Sequence, residues 1–340
     1  MSVARTSSET VHVDDSSNAI VMKGITKKYG NFTALDNVDL IVPEGTIFGL
    51  LGPNGAGKTT IIKVLTALIP ADAGEAHVSD HDVKKEPKLV RANIGWVAAE
   101  VILDDDLTAI ENLWLQAKLQ NLQEWKERAN DLLKYFDLFD RKDTKVGKYS
   151  TGMRKKLEIA LALLHQPKVI FMDEPTIGLD PGTRRMLWQL ITGINREYGV
   201  TILLTSHYIE EADALCSNLA IIDHGKIVAT GTPSELKSKV NADIIEIGLN
   251  YEPDVALFER MEGVLDASRT ENGMRLKVTA SEKILPRILS SLKIEGIVKI
   301  NVDKPSLETV FIDLTGKRLS EEDNKMDMRK FYATLRMARR

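Results

Sequence analysis

The sequence predicts an α/β chain with a mainly parallel sheet, followed by a small α+β domain. Three observations predict it. A short apolar strand, Phe48 to Leu51, runs straight into the glycine-rich run Gly52-Pro53-Asn54-Gly55-Ala56-Gly57-Lys58-Thr59-Thr60, and a helical pattern follows from Thr59 to Leu68. Further apolar strands at Val169 to Met172, Val200 to Thr205 and Leu219 to Ile222 alternate with helical stretches, the order that builds parallel sheets. Near Val240 the pattern changes to short strands and helices around a hairpin signal.

Taken in order, Ile20 to Lys28 and Asp39 to Val42 read as edge strands, and Ile94 to Val97 as a further strand. Between Asp104 and Asp140 the pattern is helical. Thr108 with Glu111 makes a capping box. Ile110, Leu113, Trp114 and Ala117 then share one face, and Trp125, Ala129, Leu132 and Phe136 form a second stripe, as expected of helices packed on each other. A helix runs from Ser150 to about His165. From Asp243 to Ile300 the order is strand, helix, hairpin, helix, strand, with Glu271-Asn272-Gly273 as the hairpin turn. Ile284 to Leu292 is an amphipathic helix, Ile297 to Val302 a last strand, and Ser306 to Thr315 a closing helix. The expected organisation is a disordered leader at 1–18, a large domain at 19–238 with a helical subdomain at about 100–160, a small α+β domain at 239–317, and a polar, then basic, tail at 318–340.

Bulk properties narrow the function classes. A chain of 340 residues fits one large domain plus a smaller one. The net charge of -4 gives no support to nucleic acid as an obligatory partner. One cysteine, Cys216, excludes an internal disulfide and fits a reducing compartment. No apolar run approaches the roughly 18 residues of a membrane span, and residues 1–18 lack the apolar stretch of a signal peptide. The expectation is a cytosolic protein that reaches a membrane mainly through a partner.

Glycines in Gly52 to Thr60 let the backbone wrap phosphate so that successive N–H groups point at its oxygens. Lys58 would contact the β- and γ-phosphates, and the Thr59 hydroxyl would hold Mg²⁺. Asp173 ends an apolar strand, where a carboxylate can meet the Mg²⁺ shell. Glu174 is the candidate general base that orients and activates water. Two acids at a strand end can also be plain surface residues. Ser150 stands where a helix N-cap would be, and a Ser hydroxyl plus the free N–H groups of a helix start suit a phosphate.

This ordered series, with Ser150-Thr151-Gly152-Met153 after the phosphate loop, then Val169-Ile170-Phe171-Met172-Asp173-Glu174, then His207, resembles the ATP-binding-cassette (ABC) ATPase domain. That resemblance implies a P-loop NTPase fold, a RecA-like sheet plus helical subdomain, in which two copies close on ATP face to face. Pro175-Thr176 and Gly178-Leu179-Asp180 follow at the spacing of the family's Walker B and D-loop segments, which would place Asp180 at the dimer seam. His207 is similar in position to the switch histidine that contacts the γ-phosphate. Tyr29, before Gly30, matches the aromatic that stacks on adenine, although an isolated Tyr is also a common core residue.

Two departures stand out. The family's signature is usually Leu-Ser-Gly-Gly-Gln, and here it is Tyr149-Ser150-Thr151-Gly152-Met153. Thr151 adds bulk where Gly allows close approach, and Met153 cannot donate a hydrogen bond from its side chain. Such variants look like those of exporters whose permeases are separate six-span chains. The family also places Gln or Glu after a strand resembling Ile94-Gly95-Trp96-Val97, touching Mg²⁺ and water. Here that position is Ala99, followed by Glu100. The expectation is Mg²⁺ dependence through Thr59 and Asp173, with hydrolysis slower than is usual in the family.

Pro305 to Gly316 resembles the closing helix of a C-terminal domain of one prokaryotic exporter subfamily that moves drugs, lipids, polysaccharides or ions. The resemblance spans about residues 20 to 317. It implies an ATP-hydrolysing exporter subunit at the cytoplasmic face of the membrane, using ATP and Mg²⁺ and working as a homodimer on separate permease chains. The tail, Met326 to Arg340, carries Met328, Phe331, Tyr332 and Leu335 on one helical face with a basic end. It could lie on an anionic membrane or be a solvated helix. A soluble ABC ATPase acting on ribosomes or nucleic acid and a low-turnover nucleotide sensor are the other readings. A single cassette without sustained heptads speaks against the first, and only Ala99 favours the second.

Overall fold

A computed structural model describes residues 18–99, 102–239, 242–270, 272–292 and 294–315. Most of the expected leader, Glu100, the turn residue Glu271 and the tail lie outside the described residues. The chain forms two compact units, one from the described residues of 1–48 and 59–204, the other from those of 49–58 and 205–340.

The first unit begins with a long hairpin, β1 (Asn18–Tyr29) and β2 (Phe32–Pro43). With β4 (Ala73–Val78) and β5 (His81–Asp82) these form an antiparallel sheet in the order β2-β1-β4-β5. The β2 strand is the expected edge, but β1 is interior, because it pairs with β4 from Ile20↔Val78 to Thr26↔Ala73. In β4 the alternation is confined to Glu75-Ala76-His77-Val78, with Ala76 and Val78 buried, so the local signal for the strand that covers β1 is short.

A second sheet in this unit has the order β3-β8-β7-β6, with β3 at Ile47–Leu51, β6 at Ile94–Val97, β7 at Val169–Asp173 and β8 at Thr201–Ser206. The β6 and β7 strands run parallel, from Ile94↔Val169 to Val97↔Met172. Residues Val169 to Met172 and Ile202 to Leu204 are fully buried, which is why they read as unbroken apolar runs rather than alternating ones. Short helices α1 (Lys58–Leu65) and α2 (Pro87–Asn93) follow β3 and β5.

Three helices pack on one another: α3 (Ala109–Leu119), α4 (Trp125–Tyr135) and α5 (Thr151–Leu163). The capping box forms as expected, with the Thr108 hydroxyl accepting from the Glu111 N–H and the Glu111 carboxylate accepting from the Thr108 N–H. The packed face of α3 is Ala109, Asn112, Leu113 and Ala117. Trp114 departs from expectation: it is 46% exposed, because it lies about 100° around the helix from Leu113. In the second stripe Ala129, Leu132 and Phe136 are buried as expected. The 18-residue helix α6 (Pro181–Tyr198) buries Leu187, Ile191 and Ile194, and Gly199 ends it in the left-handed conformation.

β3 and β8 both continue into the second unit, where the strand order is β10-β9-β3, with β9 at Asn218–Asp223 and β10 at Lys226–Gly231. Helices α7 (Ile209–Leu215) and α8 (Pro233–Lys239) follow β8 and β10. After them comes an antiparallel sheet, β12 (Val264–Thr270), β13 (Gly273–Val278), β11 (Asp243–Leu249) and β14 (Ile297–Asp303), in that spatial order. Its inner face, Ile245, Ile247, Met274, Leu276 and Val278, packs on Phe258 of α9 (Val255–Glu259) and on Ile284 and Ile288 of α10 (Ser281–Ser290). The closing helix α11 (Leu307–Thr315) packs on α7 and α8. The strand–helix–hairpin–helix–strand order is as expected. The amphipathic helix starts earlier, at Ser281, where the Asp243 carboxylate accepts the Ser281 N–H at 2.6 Å. No helix among the described residues is long and apolar enough to cross a membrane.

Candidate functional site

In the second unit, β3 delivers the chain into a tight loop. A Cβ on Gly52 would sit 2.4 Å from the Ile222 carbonyl oxygen, so only glycine lets the loop pass this close to β9. Gly55 and Gly57 have φ of 84° and 113°, a region that side chains rarely tolerate. The Gly225 N–H donates to the Ala56 carbonyl at 2.9 Å, and the Ala56 N–H to the Pro53 carbonyl at 3.2 Å. These bonds shape the loop from behind. The Lys58 ammonium is buried and donates to the Gly52 and Pro53 carbonyls at 2.7 and 3.1 Å. Its charge is therefore held by the loop that would cradle an anion. Asn54 and Thr60 are half-buried.

His207 follows β8 in the same unit. The Ser206 hydroxyl accepts the Tyr208 N–H at 2.9 Å and donates to the Tyr208 carbonyl at 3.2 Å. This closes a small turn that carries His207, whose ring lies 4.0 Å from that of Tyr208.

In the first unit, the Thr59 hydroxyl donates to the Asp173 carboxylate at 3.4 Å. Asp173 is buried at the end of β7, and Glu174 follows with a φ of 48°. A left-handed glutamate stores strain of the kind that clusters at functional sites. The turn after it is tied by the Ile177 N–H to the Glu174 carbonyl at 3.2 Å and the Leu179 N–H to the Thr176 carbonyl at 3.2 Å. Asp180 caps α6, accepting from the Gly182 and Thr183 N–H groups at 3.0 and 3.1 Å and from the Thr183 hydroxyl. Those bonds from Thr183, side chain first, hold its carboxyl below the usual range.

Ser150 is the N-cap of α5, as expected, its hydroxyl accepting the Met153 N–H at 3.3 Å. Thr151 is exposed, while Gly152 and Met153 are half-buried. A Cβ on Gly152 would meet the Thr183 methyl at 3.0 Å, so the capped starts of α5 and α6 lie side by side. Tyr29 ends β1 and is 49% exposed, with the Lys27 ammonium 5.7 Å from its ring centre. It is an open aromatic face rather than a core residue. Ala99 is half-buried beyond β6, and the neighbouring Glu100 lies outside the described residues.

The Thr59 hydroxyl and the Asp173 carboxylate are hard oxygen donors of the kind that Mg²⁺ takes. Magnesium is held by one or two protein oxygens, with water and substrate phosphates completing its shell. No cluster of three or more His, Cys, Asp or Glu that could hold a metal occurs among the described residues.

A feature beyond the motifs is the buried pair Lys155–Glu158 on α5, 2.7 Å apart. Lys155 also donates to the Ala98 carbonyl at 3.3 Å, and Glu158 accepts the Ile102 N–H at 2.9 Å. Opposite charges three residues apart inside the apolar run Leu157, Ile159, Ala160 are its only local signal.

Comparison with known proteins gives two family matches: "ABC transporter" over residues 35–177, and "ATP-binding protein DrrA1-3-like, C-terminal domain" over residues 231–315. The daunorubicin resistance ATP-binding protein DrrA2 of Streptomyces coeruleorubidus is 39% identical over 90% of this chain and 98% of its own length. The linearmycin resistance ATP-binding protein LnrL of Bacillus subtilis is 35% identical over 88% of this chain and 99% of its own. Among solved structures, a dimeric ATP-binding cassette in a post-hydrolysis state, bound to ADP and Pi, is 28% identical with a TM-score of 0.57, covering 63% of this chain and 98% of that one.

Proposed function

The chain belongs to the ABC transporter family of ATP-binding subunits, and we propose that it powers an exporter by binding MgATP between two copies of itself. It is an ATPase whose hydrolysis is linked to transport. The observation that carries the finer reading is the hydrogen bond between Thr59, which directly follows the glycine loop and its lysine, and Asp173 at the end of β7.

Each residue has a role in this proposal. Backbone N–H groups of Gly52 to Thr60 and the Lys58 ammonium bind the β- and γ-phosphates. Thr59 and Asp173 hold Mg²⁺, which supplies charge neutralisation to the phosphates when bound. Glu174 orients the attacking water and takes up its proton as the bond from the γ-phosphorus to the ADP oxygen breaks. His207 steadies the γ-phosphate. Tyr29 stacks on adenine, a contact worth about 1–3 kcal/mol. Ser150, Thr151, Gly152 and Met153 present a capped helix start to the γ-phosphate held by the second copy, and Asp180 lies at the seam.

The wider setting belongs to the same proposal. The ATPase domain is 19–238, with its helical subdomain at about 100–160 passing motion onward, and the C-terminal domain is 239–317. The permease is a separate membrane chain, and the subunit works at the cytoplasmic face of the membrane.

The test is a pull-down of a tagged Glu174→Gln chain from native membranes with and without MgATP. The substitution should trap the closed pair. A polytopic membrane protein recovered in roughly equal amount is the expected result. Recovery of ribosomes, nucleic acid or the chain alone would overturn the exporter assignment for this chain.

A further inference from the structure

We propose that the β14 strand is a second, nucleotide-independent dimerisation edge, taken up by β14 of another copy of this chain. β14 is the outer strand of its sheet. It pairs with β11 in unbroken register from Ile244↔Asp303 to Gly248↔Lys299. Directly opposed residues share a face, so Ile300 and Val302 stand on the same face as Ile247 and Ile245, which are fully buried. Ile300 and Val302 are nevertheless 39% and 36% exposed, and Val298 is 73% exposed. Among the described residues the inner face of the sheet is thus covered by α9 and α10 but left open along β14.

The opposite edge of the sheet is managed differently. A register shift between Val264 and Asp266 breaks β12, α9 packs on it, and Arg269 is tied to Glu252 and the Pro253 carbonyl at 3.1 and 3.2 Å. Bulges and covering elements are ordinary protection for an edge. Among the described residues, β14 has neither within Lys299 to Asp303.

The sequence of β14 is self-complementary. In an antiparallel two-fold pairing centred on Asn301, Lys299 faces Asp303 of the second copy and Asp303 faces its Lys299. On the inner face Ile300 meets Val302 of the second copy, and Val302 meets its Ile300. This is the isologous pattern that a two-fold axis requires, each contact occurring twice. Opposite charges and paired β-branched residues are both favourable across strands. The occupant is therefore another copy of this chain rather than an unrelated strand. The contact is separate from the ATP-dependent pairing proposed above, so either can fail without the other.

The experiment is sedimentation of the full chain without nucleotide and with EDTA, over a dilution series, for wild type, Lys299→Asp, Asp303→Lys and the double swap. Both positions altered are on the surface, and circular dichroism checks folding. Each single variant should raise the dimer dissociation constant at least about tenfold, because two attractive pairs become repulsive, and the swap should restore it. Asn301→Cys should also form a disulfide with its own copy more readily than Lys299→Cys does. A wild-type chain that stays monomeric throughout, or a swap no better than the single variants, would overturn the proposal. Dimerisation lost only on removing residues beyond 315 would assign the contact to the tail and overturn it as well.

Discussion

The Lys155 ammonium lies 2.7 Å from the Glu158 carboxylate, and both side chains are buried on α5. One partner reaches Ala98 and the other Ile102. The helix that begins at the Ser150 cap is thereby fixed to the chain on both sides of position 100, next to the Ala99 departure.

Removing one partner of this pair leaves a buried charge, which typically costs about 3–5 kcal/mol. Glu158→Leu is expected to lower thermal and urea midpoints strongly. Lys155→Met with Glu158→Leu should recover most of the loss, since no charge remains to be buried. Equal loss in the single and double variants would mean that the backbone bonds to Ala98 and Ile102, not the charge, matter.

Removing an oxygen donor from the proposed Mg²⁺ position should weaken metal binding. Thr59→Val and Asp173→Asn are each expected to reduce Mg²⁺ affinity at least about tenfold in the presence of a non-hydrolysable ATP analogue. Calorimetric titration reads this directly, and unchanged affinity in both variants would remove these residues from the site.

His165 sets a pH dependence. Its Nε2 lies 2.8 Å from the Ile94 carbonyl, which can only accept, so the neutral ring carries its proton on Nε2. Burial depresses its pKa below the ordinary 6.5. The unfolded chain therefore takes up a proton as pH falls through about 6.5, while the folded chain does not until lower pH. Stability from this group is full above that range and declines below it. His165→Gln should flatten the fall in unfolding midpoint between about pH 7 and about pH 5. An identical slope in the variant would assign the dependence elsewhere.

Ala99 bears on turnover. Ala99→Gln is expected to raise the rate of ATP hydrolysis, because an amide restores a group able to hold water and Mg²⁺. If that variant is silent while Glu100→Ala abolishes turnover, Glu100 is the working residue.

The loop from Gly52 to Thr60, the Thr108–Glu111 box, the Ser150 cap and the acidic end of β7 were legible from sequence, since each is a pattern of neighbours along the chain. Capping bonds, turn glycines and periodicity act over a few residues, and their chemistry can be read there. The interior position of β1 was not legible, because the alternating pattern of β4 is only four residues long. Nor was the need for glycine at position 52, which comes from Ile222 far along the chain. The family resemblance implies a seam position for Asp180, and the fold also makes it the cap of α6.

By itself, then, the sequence determined the phosphate loop, the apolar strands β3, β7, β8 and β9, the capped helices α3 and α5, and the acidic end of β7. Only the tertiary structure decided that Lys155 and Glu158 hold the segments around Ala98 and Ile102, that Thr59 meets Asp173, and that β14 is left as an edge. The physical reason is range. Local propensity selects a conformation from nearest neighbours, whereas burial and pairing depend on which distant backbone arrives to exclude water, and no short window of sequence contains that partner.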